Sequence, residues 1–417
     1  MAKMTLREID GTSPGYYLLL GLLGVLIACG ATAALYMEHE GHYVTGMSNQ
    51  IVWGMPHVFA VFLIVAASGA LNVASIASVF GKTMYKPLSP LSGLLAMSLL
   101  LGGLVILVLD LGRPDRLIVA MTTYNFKSIF AWNIFLYNGF LAIVALYLWM
   151  MLERRFNKYS STIGLFAFIW RLILTTGTGS IFGFLVARQA YDAAIMAPLF
   201  ILMSFSFGLA IFILVMITAY KGTGRPLGQA IVERMRKLLG IFVASVAMFV
   251  TIFHLTNLYA TEHHGIEKFI LDGDNVYTGL FWLGYVMFGT LLPLVICYMP
   301  AFKRSIGAII TASVLVIAGG LSMMYVIIIG GQAYPLVLFP GKEVSSSFFD
   351  GIVNHYSPSL PEITLGVGGL ALALAIVTVG IKILHFLPLS LADADIDPHY
   401  KPEEDTDIEA MAEKAGA

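Results

Sequence analysis

Ten stretches of this chain are almost uninterrupted runs of apolar residues, and that pattern leaves few folds open. They cover roughly 15–37, 54–80, 91–110, 127–152, 161–187, 195–220, 238–260, 277–299, 305–330 and 363–386 of the 417 residues. A helix of about 20 residues crosses the hydrocarbon of a bilayer, where each backbone N–H and C=O must find its partner within the segment. Continuous apolarity excludes a membrane β-barrel, whose strands would alternate apolar and polar residues over about ten positions. The expected fold is an all-α integral membrane protein of about ten transmembrane helices over residues 1–390. Two four-helix bundles with one flanking helix at each end would fit that count.

Composition points the same way. The protein is 58% hydrophobic and 12% charged, with a mean hydropathy of +0.84, values that belong to a protein solvated by lipid. A net charge of -1 offers no basic footprint for nucleic acid. Cys29 and Cys297 both lie in apolar runs, and two thiols build neither a disulfide framework nor a four-thiolate iron–sulfur or zinc site. Any cluster must sit on another subunit. The first run is longer than a signal-peptide core and lacks a small-residue cleavage pattern, so it reads as a retained helix.

Of the 24 Lys and Arg, 17 fall in segments on the side of the termini, six lie opposite, and Arg171 lies within a span. The positive-inside rule then makes both termini cytoplasmic, in a multi-pass protein of the bacterial inner membrane. Glu38 to Trp53, Asp110 to Phe126, Arg188 to Ala194, Thr261 to Asn275 and Gly331 to Glu362 face outward. Residues 391–417 carry nine acids against Lys401 and Lys414, the composition of a disordered cytoplasmic tail. Within the second run, Ala66 to Ser75 spaces small residues by four, which lets helix backbones approach closely.

Ionisable groups inside lipid usually mark a substrate or proton path, or a packed polar pair. His57 follows Trp53 and Pro56 about one turn below the outer surface. An imidazole there can donate to a quinone carbonyl and pass on a proton, or simply bond a neighbouring carbonyl. The third run ends in Asp110-Leu-Gly-Arg-Pro-Asp-Arg116; the plain reading is a helix stopped by Gly112 and Pro114, with Asp110 and Arg113 paired. Its arginines nevertheless run against the charge trend of that face. Tyr124, in Tyr124-Asn-Phe-Lys-Ser-Ile-Phe, is either a belt residue or, if close to His57, a second donor to a quinone head. Weaker candidates are Arg188, Asp192, His254, which shares a helix face with Asn257, and Arg171, placed about two turns inside the cytoplasmic face where it can snorkel. The adjacent His263 and His264 read as solvated loop residues. A haem between His57 and His254 is the competing use of those histidines.

The Asp110-Leu-Gly-Arg-Pro turn followed by the aromatic Asn-Phe-Lys-Ser segment resembles the NrfD/PsrC-like membrane subunits of polysulfide reductase type complexes. Gly41-His-Tyr-Val-Thr-Gly-Met-Ser-Asn-Gln-Ile-Val-Trp-Gly-Met-Pro-His-Val-Phe-Ala looks most like the DsrP-type subunit of the sulfite-reductase-associated transmembrane complex. The resemblance covers most of the sequence. It implies a quinol site near the outer face, with menaquinone or ubiquinone as substrate and no haem or iron–sulfur cluster in this subunit. It also implies a periplasmic ferredoxin-like iron–sulfur subunit as electron partner, with further membrane and cytochrome subunits in the complex. By the same resemblance His57 and Tyr124 would bind quinone, and Asp110 with Arg113 would form the signature turn and serve proton transfer.

The function expected is that of a quinone-interacting membrane subunit in a respiratory or sulfur-metabolising redox complex, with proton release or uptake coupled to quinone turnover. A secondary transporter would instead show short or broken helices with polar groups converging near the midplane, whereas the apolar runs here are mostly long and unbroken. A purely structural anchor would tolerate loss of His57, Asp110 and Tyr124.

Overall fold

The computed structural model describes residues 5–153, 155–336, 351–397 and 400. Among them, ten helices are long and apolar enough to cross a membrane. Spans 1 to 5 are Pro14–Glu40, Met55–Ser78, Thr83–Leu109, Ile129–Leu152 and Asn157–Gly183. Spans 6 to 10 are Met196–Thr223, Gln229–Tyr259, Val276–Tyr298, Ile306–Ala333 and Leu360–Ile383. Spans 3 and 7 begin eight to nine residues earlier than their apolar runs, because hydropathy marks the hydrocarbon and the helices continue past it. In span 7 that added length carries Arg234, Arg236 and Lys237, with Lys237 bonded to Glu233 at 3.0 Å one turn away.

Spans 2, 3, 4 and 5 pack in a closed ring, and spans 6, 7, 8 and 9 form a second. Span 2 joins the rings by lying along span 6. Here the small-residue stretch does its packing: a Cβ on Gly69 would strike the carbonyl of Ser204, and one on Gly208 the backbone of Gly69 and Ala70. Spans 1 and 10 pair along each other, Gly30 against Gly368 at backbone contact, and span 10 leans on spans 2 and 3.

Not every span is continuous. Span 2 breaks at Leu71, and Ser92 of span 3 covers the gap by donating to the Ala70 carbonyl at 2.7 Å and accepting the Ala74 N–H at 3.1 Å. Such repair from a neighbouring helix is what lets a break persist in lipid. Spans 8 and 9 widen to π-type turns over Leu280–Leu291 and Val326–Gly330. These three spans depart from the unbroken helices that the apolar runs lead one to expect.

At the terminal face, Leu6–Arg7 pairs antiparallel with Leu387–Pro388. Arg225 ties this patch to the loop after span 6 by donating to the carbonyls of Glu8 at 2.6 Å and Leu387 at 3.2 Å. The first residues of the acidic tail are not free polypeptide. Asp393 accepts the N–H groups of Gln229 and Ala230 at the start of span 7, and Asp393–Ile396 forms a helical turn. A carboxylate at a helix N-terminus satisfies orphan donors and complements the dipole, which composition alone does not reveal. Residues 398, 399 and 401–417 of the expected tail lie outside the described residues.

Substituting Gly208→Val should lower the thermal midpoint of the detergent-solubilised protein by roughly 5 °C or more, the scale of overpacking a tight contact. Gly21→Ala, where nothing lies within 4 Å of the added carbon, should leave it unchanged. Equal midpoints would show that the crossing of spans 2 and 6 does not hold the rings together.

Candidate functional site

Spans 2 and 3 run antiparallel, so the first turn of one meets the last turn of the other at the face away from the termini. Gly54 caps span 2, Pro56 occupies its first turn, and His57 follows. Span 3 ends with Asp110 still in helical conformation. Nδ1 of His57 stands 3.1 Å from Oδ2 of Asp110. The ring is turned so that the contact lacks hydrogen-bond alignment, and among the described residues neither carboxylate oxygen has a hydrogen-bond partner although the Asp110 side chain is only 1% exposed. Buried carboxylate oxygens left without donors are rare, and catalytic hydrogen bonds often tighten only when substrate binds. The His57 side chain is 24% exposed, so one edge stays accessible.

The expected pairing of Asp110 with Arg113 does not occur. Past Gly112 the backbone turns outward, and Arg113 grips Asp115 with Nε at 3.0 Å and Nη2 at 2.9 Å. That hydrogen bond lowers the Asp115 pKa and raises that of Arg113. Asp110, inside the helix end, is thereby left for His57.

Beside His57 stands an aromatic wall. The Trp53 ring stacks on the imidazole at 6.3 Å and 30° and adjoins Phe130, Phe182 and Tyr191. Trp53 belongs to a loop, and the second ring of helices holds that loop. Gln332, buried at the end of span 9, accepts the N–H groups of Val52 and Trp53 through Oε1, both at 3.0 Å, while its Nε2 donates to the Trp53 carbonyl at 3.0 Å. Arg188 forks between the carbonyls of Gln332 and Gln50, each at 2.8 Å. Burial lowers its pKa, and its role is to position the loop. Glu362 at the start of span 10 accepts the N–H of Gly46 at 2.8 Å and the hydroxyl of Tyr356 at 2.7 Å. Tyr356 in turn accepts the N–H of Met55 at 2.6 Å, and its phenol pKa is pushed up by burial first and then by Glu362. Gly54 must be glycine here, because a Cβ would meet the Glu362 carboxylate and lie 2.8 Å from the Tyr356 hydroxyl.

The other candidates fall elsewhere. Tyr124 packs on Phe135 at 4.3 Å and on Phe126, and no hydrogen bond or ring contact joins it to His57 among the described residues. Arg171 does not snorkel: it sits near the middle of span 5, is 2% exposed, donates to the Ser68 carbonyl at 3.2 Å and lies over the rings of Phe168 and Phe205. His254 and Asn257 do form a polar seam, through Glu267, which takes His254 Nδ1 at 2.7 Å and the Asn257 amide at 2.8 Å. His263 Nδ1 meets the Gln189 carbonyl at 3.0 Å and so is not a free loop residue. Asp192 is exposed.

Sequence reasoning missed Gln332, Glu362, Glu267 and the part played by Trp53. Glu362 had a readable signal, since Ser359-Leu-Pro-Glu362 is a capping box before an apolar run. Gln332 and Glu267 had none, because their partners are remote in sequence or on another helix.

The family model described as polysulphide reductase, NrfD matches residues 43–335, a span that holds His57, Asp110, Arg188 and Gln332. The sequence is 26% identical over 385 residues to the Hdr-like menaquinol oxidoreductase integral membrane subunit of Archaeoglobus fulgidus, covering 92% of this protein and 96% of that one. It is 24% identical to the menaquinone reductase integral membrane subunit of Nitratidesulfovibrio vulgaris, over 76% of this protein and 82% of that one. With the C subunit of polysulfide reductase from Wolinella succinogenes it shares 24% identity over 69% of this protein and 96% of that one.

Gln332→Leu should remove the shared acceptor of two part-buried N–H groups, at a cost of about 1 kcal/mol each, and release the Trp53 loop. A red-shifted tryptophan emission and a lowered thermal midpoint are expected, with Trp53→Phe as the spectral control. An unchanged spectrum would remove Gln332 from the support of the site.

Proposed function

Because this protein belongs to the polysulphide reductase NrfD family, we propose that it is the quinone-interacting membrane subunit of a multi-subunit oxidoreductase complex. The carrying observation is the His57–Asp110 pair, with its unsatisfied buried carboxylate, an accessible imidazole edge and the Trp53 wall beside it. The relatives named for menaquinol and menaquinone chemistry support a quinone, and menaquinone ahead of ubiquinone. The finer reading places the protein in a bacterial inner membrane with cytoplasmic termini. Its electron partner is then a periplasmic iron–sulfur subunit seated over the outer face, with other membrane and cytochrome subunits completing the complex. A sulfur-metabolising role has the polysulfide reductase relative in its support.

In this reading a quinol hydroxyl bonds to the free edge of His57 while its ring lies against Trp53 and Phe130. As two electrons leave for the partner's clusters, the quinol loses two protons. His57 takes the first as general base, and Asp110 behind the ring steadies the resulting imidazolium. Relay to the outer aqueous phase frees His57 for the second. Quinone reduction is the same sequence reversed. The quinone carries the redox chemistry, and the protein supplies binding, orientation and proton transfer. Tyr124 is retained as a second donor that reaches the quinone only if the ligand bridges the aromatic layer of Phe126 and Phe135.

Titration of the purified protein with a fluorescent hydroxyquinoline-oxide inhibitor tests this. Saturable quenching should be lost in His57→Ala. Asp110→Asn should keep binding but slow quinol-dependent turnover of the assembled complex by about 100-fold or more, the usual worth of a positioned acid–base group. Tyr124→Phe should weaken binding less than His57→Ala does. Quenching unaffected by His57→Ala would remove the quinone from this end of span 2.

A further inference from the structure

On the opposite side of span 2 from His57 lies a cavity of about 780 Å³, which does not reach the His57 cluster. It opens where the pair of spans 1 and 10 meets spans 6 and 9, with span 2 behind. Along span 6 its wall runs from Ile211 to Thr223, about 18 Å at the rise of an α-helix. The two ends differ in chemistry. Deep in the membrane the wall is Phe59, Leu63, Leu214, Leu321 and Leu374; at the terminal face it is Thr12, Ser13, Thr223 and Arg225 with Asp10. A space this large and apolar suits an acyl chain better than water.

The charges at the mouth are the second observation. Arg225 spends its N–H groups on the neutral carbonyls of Arg7, Glu8, Leu387 and Pro388. Lys382 is not itself a lining residue but stands just behind the mouth, bonding the carbonyl of the lining Gly11 at 3.1 Å and lying over the rings of Tyr16 and Tyr17. Neither cation has a carboxylate partner among the described residues, and Asp10 is the one acid lining the mouth. Basic pockets between spans on the face that carries excess Lys and Arg bind anionic lipid headgroups. A partner transmembrane helix fits less well. It would have to continue through the terminal end of the cavity, where the N-terminal segment crosses, pinned by the bond from Ile9 N–H to the Ile381 carbonyl at 3.0 Å.

We propose that this cavity binds one anionic phospholipid, its acyl tail lying along spans 2, 6 and 10 and its phosphate facing Arg225 and Lys382. The bound tail would seal the seam between the flanking pair and the second ring, and so acts independently of the quinone site.

The test is lipid analysis by mass spectrometry of the full-length protein purified in mild detergent. Wild type should retain close to one phospholipid per protein molecule, with acidic classes enriched roughly fivefold over the source membrane, the scale of one basic contact at a membrane surface. Leu214→Trp and Thr218→Trp, which fill the cavity, should each lose the retained lipid while leaving inhibitor quenching at the His57 site intact. Lys382→Gln should keep a lipid but lose the acidic enrichment. A quinone as the retained molecule, acidic lipid at its bulk proportion, no retained lipid in wild type, or undiminished retention in both Trp variants would each overturn the proposal.

Discussion

The crossing of spans 2 and 6 is the contact on which the rest of this protein depends. Gly69 and Gly208 bring two helix backbones together with no room for a side chain. In lipid, where no hydrophobic force drives helices together, such backbone approach is a principal source of association. Two rings of four helices thus share one core, to which the packing of span 5 along span 6 also contributes. Span 2 packs within the first ring and equally along span 6 of the second, and it also carries His57 at its end away from the termini.

That double membership explains how the candidate site is supported. The His57–Asp110 pair comes from spans 2 and 3, but the loop that presents Trp53 is held by Gln332 from the second ring and Glu362 from span 10. Arg188 closes the network through backbone carbonyls alone, so its charge serves as a rigid fork of donors. A site held from three directions keeps its aromatic wall and imidazole in register while one edge stays open to substrate. This is the pre-organisation that binding and proton transfer require.

Two histidines paired with buried carboxylates stand near the face away from the termini, and their surroundings separate them. His57 keeps an accessible edge, and its carboxylate lacks donors. Glu267 is satisfied by both His254 and Asn257, and the His254 ring is enclosed by Phe253 and Phe281. The first arrangement suits exchange with a ligand, and the second suits holding a short outer helix onto span 7. Equal residue chemistry thus sits in different surroundings: the Glu267 carboxylate has its donors and the Asp110 carboxylate has none among the described residues.

Apolar runs, small-residue spacing and the Asp110 to Arg116 turn were enough to set the spans and their number, and to mark His57 and Asp110 as residues of interest, because hydropathy and helix stops are local properties of a sequence. The pairing of His57 with Asp110 was not legible: the turn offered Asp110 a nearer partner in Arg113, and only the outward course after Gly112 gave that arginine to Asp115 instead. Gln332 and the buried station of Arg171 were likewise invisible, since each is defined by groups far away in sequence, and Glu267 was invisible because its partners His254 and Asn257 lie across a turn on another helix. Local sequence determined which segments enter the membrane; the tertiary packing of the two rings decided which polar groups meet there, because a buried polar atom takes its partner from whatever the neighbouring backbone brings within reach.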